Sequence, residues 1–184
     1  MIIFKTKNVL DCEFAQNKYG ALYPKELAIV DMKNPLDIKH LIMNTKGFVY
    51  TKQNMFLCTP FHKIPLSLGN NTIADLKAYV KDNSLIYVQG SEKRDIIQYY
   101  LPNCLVINLN LSSITKQEWP YKQISVTCPF AHSHAHCSFI KVLKLYNAII
   151  THSLSLLVKV SQRMNLSKIY EIENDRSIVY FENG

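Results

Sequence analysis

At 184 residues, 48% hydrophobic and 19% charged, the chain has the composition of one globular domain long enough to bury a real core. No apolar run is long enough to cross a bilayer, and the start, Met1-Ile-Ile-Phe-Lys-Thr-Lys7, lacks the apolar core and cleavage site of a signal peptide. A net charge of +7 favours a polyanionic partner over a membrane, and five scattered cysteines suit reduced thiols in the cytoplasm or nucleus better than a disulfide framework.

Asn8–Phe14 and Glu26–Met32 read as strands, and the loop Gln16–Pro24 permits an antiparallel hairpin between them. Gly47–Tyr50 is expected to form a third strand. Thr72-Ile-Ala-Asp75 is a capping box and predicts a helix to about Lys81. Leu85–Val88 is a short apolar run followed by Gln89-Gly90, the pattern of a buried strand. Ser91 is expected to cap a short helix that turns Ile96, Ile97, Tyr100 and Leu101 inward and stops at Pro102. Leu105–Leu109 reads as the next strand. From Ser138 to about Asn165 neither Gly nor Pro occurs, and Ile140, Leu143, Tyr146, Ile149 and Ile150 recur at helical spacing. One long helix, or two with a bend near Thr151-His152, follows. Lys168–Glu173 and Ser177–Glu182 form a terminal hairpin around Asn174-Asp175. With no linker and no repeat, the reading is one domain over residues 1–184, with a helix and hairpin extension from about 151. Its class is α/β: a mixed sheet with helices on both faces.

The densest chemistry lies between Cys128 and Cys137, Cys-Pro-Phe-Ala-His-Ser-His-Ala-His-Cys. Thiolate and imidazole are the usual ligands of zinc, which takes about four of them in a tetrahedron. The segment supplies Cys128, Cys137 and one or more of His132, His134 and His136. A disulfide and a pair of buried free thiols are the competing readings. A second concentration lies on the first strand, where Asp11 and Glu13, two apart, emerge on one face. Two such carboxylates are costly unless paired or holding a cation such as Mg²⁺, so they are either a solvated strand end or a metal clamp.

Leu10-Asp11-Cys-Glu13-Phe, with Asp95 in the helix after Leu85–Val88, resembles the first two motifs of the DnaQ-like (DEDD) exonucleases of the ribonuclease-H-like fold. His62-Lys-Ile-Pro65 resembles the His-containing turn that passes close to substrate in that family. The resemblance implies a 3'-5' exonuclease-like nuclease in which Asp11 and Glu13 bind Mg²⁺ or Mn²⁺. Asp95 would hold a second ion through water, and His136 would orient or deprotonate the attacking water. The family's third motif, His followed five residues later by Asp, is met here by His136 and Lys141. The departure resembles the Maelstrom domain, a branch of the same fold that carries a Glu-Cys-His-Cys zinc tetrad in place of catalytic acids. That resemblance rests on Pro24-Lys-Glu26 and on the Cys/His segment. It implies structural Zn²⁺ on Glu26, Cys128, His132 and Cys137, with His134 as the alternative imidazole.

Three functions follow as expectations. The first is a metal-dependent nuclease acting on RNA or single-stranded nucleic acid. The second is a non-cutting RNA-binding module, with His62, Lys93, Arg94, Lys141 and Lys144 facing the strand and Tyr99 or Tyr100 stacking a base. The third is a protein-interaction scaffold in which the acids are relics.

Overall fold

A computed structural model describes residues 4–109, 128, 136–150, 170–174 and 177–181. The sheet begins with β1 (Lys7–Gln16), β2 (Leu22–Asp31) and β3 (Asn34–Ile42), an antiparallel meander. After the short helix α1 (Lys52–Phe56), a π-helical turn (Leu57–Phe61) and α2 (Ile73–Tyr79), β4 (Leu85–Val88) joins β1 in parallel. Helix α3 (Ser91–Tyr100) then leads to β5 (Leu105–Asn108), parallel to β4. The strand order is β3-β2-β1-β4-β5. Residues 138–150 are helical (α4). Strands β6 (Tyr170–Asn174) and β7 (Ser177–Phe181) pair as the expected antiparallel hairpin.

Alternation along β1 sorts the core into two layers. Val9 packs with Val142, Leu145 and Ile149 of α4 on one face. Leu10, Cys12 and Phe14 face Leu76 of α2 and Ile97 of α3 on the other. The α/β class and the helices on both faces therefore hold. Thr72 and Asp75 exchange side-chain and backbone hydrogen bonds as a complete capping box at the start of α2.

Two local expectations are corrected. Gly47–Tyr50 is not a strand, and Val49 and Tyr50 are more than half exposed. The third strand is β3, which the tight turn after Asp31 folds straight back onto β2. Ser91 does not cap α3: the cap is Gly90, at φ +110, whose N–H donates to Asn108 Oδ1 over 2.7 Å. Only glycine adopts that φ without strain, so a side chain there would disturb the β4–α3 junction.

Lys25 is fully buried. The β1–β2 register passes from Glu13↔Glu26 to Phe14↔Pro24, leaving Lys25 as the extra residue of a bulge. Its ammonium donates to Leu68 O at 2.5 Å, Thr45 Oγ1 at 2.7 Å, and Met43 O and Leu66 O at 3.3 Å each. Burial pulls the Lys25 amine down to about 8. The ring of acceptors ties the loops after β3 and before α2 to the centre of the sheet.

Candidate functional site

The same alternation that buries Val9 on the α4 face brings Asp11 and Glu13 out on that face, only 3% and 4% exposed. Charged carboxylates at such depth need a partner. Each has a lysine. Lys93, from the first turn of α3, donates to Asp11 Oδ1 at 2.5 Å, and Lys141 of α4 pairs with Glu13 Oε1. Burial raises the Asp11 carboxyl despite the two ammonium charges beside it. Burial alone would lower Lys93, but Asp11, Cys12 and Glu13 outweigh it and hold the amine above its ordinary value. Asp11 Oδ2 is buried and has no hydrogen-bond partner among the described residues.

Directly across the β1–β2 pair, Glu13 faces Glu26. Two like charges in register repel, so each must be neutralised separately. Glu26, fully buried, takes His40 Nε2 on Oε1 at 2.6 Å and the backbone N–H of Ser138 on Oε2 at 3.1 Å. The thiol of Cys137 donates to Glu26 Oε1 over 3.7 Å, and Cys128 Sγ lies 4.0 Å from His40 Nδ1. Donor atoms of Glu26, His40 and Cys128 all lie within 4.8 Å of one another, a group that could hold a metal ion. Cys137 adjoins this group, its thiol in contact with both Glu26 and Cys128. Burial, with Glu26 and Cys128 close by, pushes the Cys137 thiol well up when no cation is present. Donors on a zinc tetrahedron with bonds of about 2.0–2.3 Å stand roughly 3.3–3.8 Å apart. His40 turns Nε2 to Glu26 and Nδ1 to Cys128, so binding an ion through one ring nitrogen requires the imidazole to shift.

The start of α4 serves both carboxylates. The Cys137 carbonyl accepts the N–H of Lys141, the first helical bond, so Cys137 is the N-cap. The positive end of the helix and the Ser138 N–H point at Glu26, and Lys141, one turn on, reaches Glu13.

The expected site residues are partly united. Asp11 and Glu13 lie together, as do Glu26, Cys128 and Cys137. Asp95 does not join the acids: its side chain is 63% exposed and accepts from Arg94 Nη2 at 2.6 Å and Nε at 2.8 Å. Two residues along a helix turn the side chain roughly 200° from that of Lys93, which is the residue aimed at Asp11. His62 is not at the surface. It is fully buried, with Nε2 on Phe14 O at 3.2 Å and Nδ1 accepting the Ile64 N–H at 3.0 Å. Lys93 and Lys141 turn inward to the acids, while Lys144 is exposed. Tyr99 is exposed, and Tyr100 packs edge-on to Tyr23. His136 stacks on Phe61 with ring centroids 3.6 Å apart. Partial burial, with Lys141 and Lys93 nearby, lowers its imidazole. His132 and His134 lie outside the described residues.

His40 is the site residue that sequence reasoning missed. The available signal was a strand over Asn34–Ile42: once β3 pairs with β2, His40 stands opposite Ala28, two residues from Glu26 on the same face. Among the described residues no helix is long and apolar enough to cross a membrane. Comparison with protein-family models and with curated proteins returned no match.

Proposed function

We propose that this chain is a ribonuclease-H-like, DnaQ-related module whose acidic centre is neutralised from within. It grips RNA or single-stranded nucleic acid without cutting it, and it carries structural zinc. The observation that carries this reading is the pair of salt bridges from partly exposed lysines to buried carboxylates, Lys93–Asp11 and Lys141–Glu13. Two-metal cleavage needs carboxylates free to clamp cations around the attacking and leaving oxygens. Here an ammonium occupies one oxygen of each acid, and Lys141 stands where the resembled family carries a further acid. The strand order β3-β2-β1-β4-β5, with β1–β3 antiparallel and β4–β5 parallel to β1, supports the fold assignment. A net charge of +7 supports a polyanionic partner.

Zinc is the metal that suits the donor set of Glu26, His40, Cys128 and Cys137. One carboxylate, one imidazole and two thiolates form the closed four-donor shell of a structural site. A cation there would fasten α4 to β2 and β3, and so hold Lys141 over Glu13.

One observation favours active cleavage instead: Asp11 Oδ2 is buried without a partner, as a metal ligand would be before its ion arrives. End-labelled single-stranded RNA and DNA, incubated with the protein and Mg²⁺ or Mn²⁺, separate the two readings. The non-cutting module retards both oligonucleotides in a salt-dependent way and leaves their lengths unchanged. Shortening that disappears in Asp11→Asn/Glu13→Gln would establish the nuclease.

A further inference from the structure

Between Asp37 and Asp75 the sequence contains no acidic residue, while Lys39, Lys46, Lys52 and Lys63 fall within it. Lys39 pairs with Asp37, and the other three lysines are exposed. The same stretch carries Val49, Tyr50, Met55 and Phe56, each more than half exposed. Scattered exposed apolar residues need no explanation, but a cluster on a cationic segment does. Its rings are ordered. Phe56 lies 6.0 Å from Phe61, centroid to centroid, at a 31° tilt, and Phe61 lies 3.6 Å from His136 at 33°. The three rings form a ladder from exposed Phe56 towards the Lys141–Glu13 bridge.

The ladder is held on rigid supports. Asn54, fully buried, accepts the Gln16 N–H at 2.7 Å and donates to both Gln16 O and Val49 O at 2.7 Å. That side chain completes the end of β1 much as a neighbouring strand would, and fixes α1 there. At the far side of the π-helical turn, which closes through His62 N–H to Leu57 O at 2.9 Å, the His62 ring is anchored on Phe14 O. Rings fixed before a ligand arrives lose little freedom on binding.

We propose that Phe56, Phe61 and His136 form a stacking platform for the unpaired bases of a single-stranded nucleic acid, with Lys52 and Lys63 on its phosphates. This rests on the reading of the domain as a nucleic-acid-binding module and adds where the bases lie. Base faces stack on aromatic rings whatever the sequence, and cations alongside track the backbone. The occupant is a polyanion with flat apolar faces, because the segment pairs exposed rings with lysines and lacks any acid.

The test measures affinity by fluorescence anisotropy for a labelled 12-nucleotide RNA and for the same backbone with its bases removed. Phe56→Ala, Phe61→Leu and Phe56→Trp are compared with wild type and with Tyr79→Ala, an exposed ring on α2. Loss of one stacking ring should weaken the RNA on the order of tenfold. Phe56→Trp should bind at least as well as wild type. The salt slope should stay unchanged in Phe56→Ala, since the phosphate contacts persist. Base removal should weaken wild type strongly, and on the base-free backbone Phe56→Ala should cause little further loss. Equal binding of both backbones, with no effect of Phe56→Ala or Phe61→Leu, would overturn the platform and leave the module reading intact. No binding of either would overturn both. Sedimentation of wild type as a dimer that Phe56→Ala dissociates, without a change in RNA affinity, would make the patch an interface between copies and overturn the platform.

Discussion

Replacing Lys141 by Met keeps most of the methylene stem and removes the ammonium, so it isolates the charge on Glu13. Glu13 has a side chain only 6% exposed, and Lys141 one 30% exposed. At a separation of about 3 Å and an effective dielectric near 20, the gross attraction is about 5–6 kcal/mol. Truncating one partner of a buried pair costs about 3–5 kcal/mol, because the other charge is left uncompensated. The partial exposure of Lys141 puts the expected loss at the lower end, about 3 kcal/mol, with Glu26 in register across the strands adding repulsion. Glu13→Gln, which leaves only the partly exposed ammonium unpaired, should lose about 1 kcal/mol, and Lys141→Met/Glu13→Gln, which removes both charges, also only about 1 kcal/mol, giving a coupling of about 3 kcal/mol. Urea unfolding of the four proteins measures the cycle. Mn²⁺ adds a second readout. In Lys141→Met the vacated Glu13, with the free Oδ2 of Asp11 beside it, should accept the ion, and at ten times its dissociation constant stability should recover by about 1.4 kcal/mol. Wild type should not respond. A Lys141→Met protein within about 0.5 kcal/mol of wild type would show that the ammonium does not neutralise Glu13, as would equal stabilisation of both by Mn²⁺.

Three further outcomes are expected. Lys25 binds its proton more weakly when folded, at about 8 against 10.5, so the unfolded chain holds more protons between those values and stability should rise with pH across that window. The gain should approach about 3 kcal/mol by pH 10.5, and urea midpoints from pH 7 to 10.5 should lack this component in Lys25→Met. Metal removal by a chelator, or by Cys137→Ser, should lower the melting temperature, while Cys58→Ser and Cys104→Ser should leave the metal content per chain unchanged; elemental analysis with a thermal melt checks both. Leu145→Ala should cost about 2–4 kcal/mol by urea unfolding, since Leu145 is 2% exposed between α4 and the sheet.

The parts of the fold that were legible are those where local signals and tertiary burial agree. Asn8–Phe14 sits wholly in buried β1, Thr72 and Asp75 form the box that starts α2, and the four buried residues of Leu85–Val88 are β4. Strand β3 was hidden because it is only half covered. Pro35, Asp37 and Lys39 interrupt its apolar pattern, and Leu36 is 94% exposed. Gly47–Tyr50 looked like a strand for the opposite reason: its residues are apolar, but among the described residues no strand pairs with them. Missing β3 meant missing His40. The acids and thiols were legible by residue type and spacing, yet the lysines were read as phosphate contacts. Their real partners lie 82 and 128 residues away in sequence, and no local pattern encodes that pairing.

A single crystal grown with zinc and soaked in Mn²⁺, with anomalous data collected at both absorption edges, separates internal neutralisation of the acids from metal-dependent cleavage. A zinc peak is expected, bounded by Glu26, His40, Cys128 and Cys137, at about 2.3 Å from sulfur and 2.0–2.2 Å from nitrogen and oxygen. No manganese peak is expected beside Asp11 and Glu13, where Lys93 and Lys141 stay in place. Manganese bound to Asp11 and Glu13, with the two lysines swung away, would contradict internal neutralisation and return the site to metal-dependent cleavage.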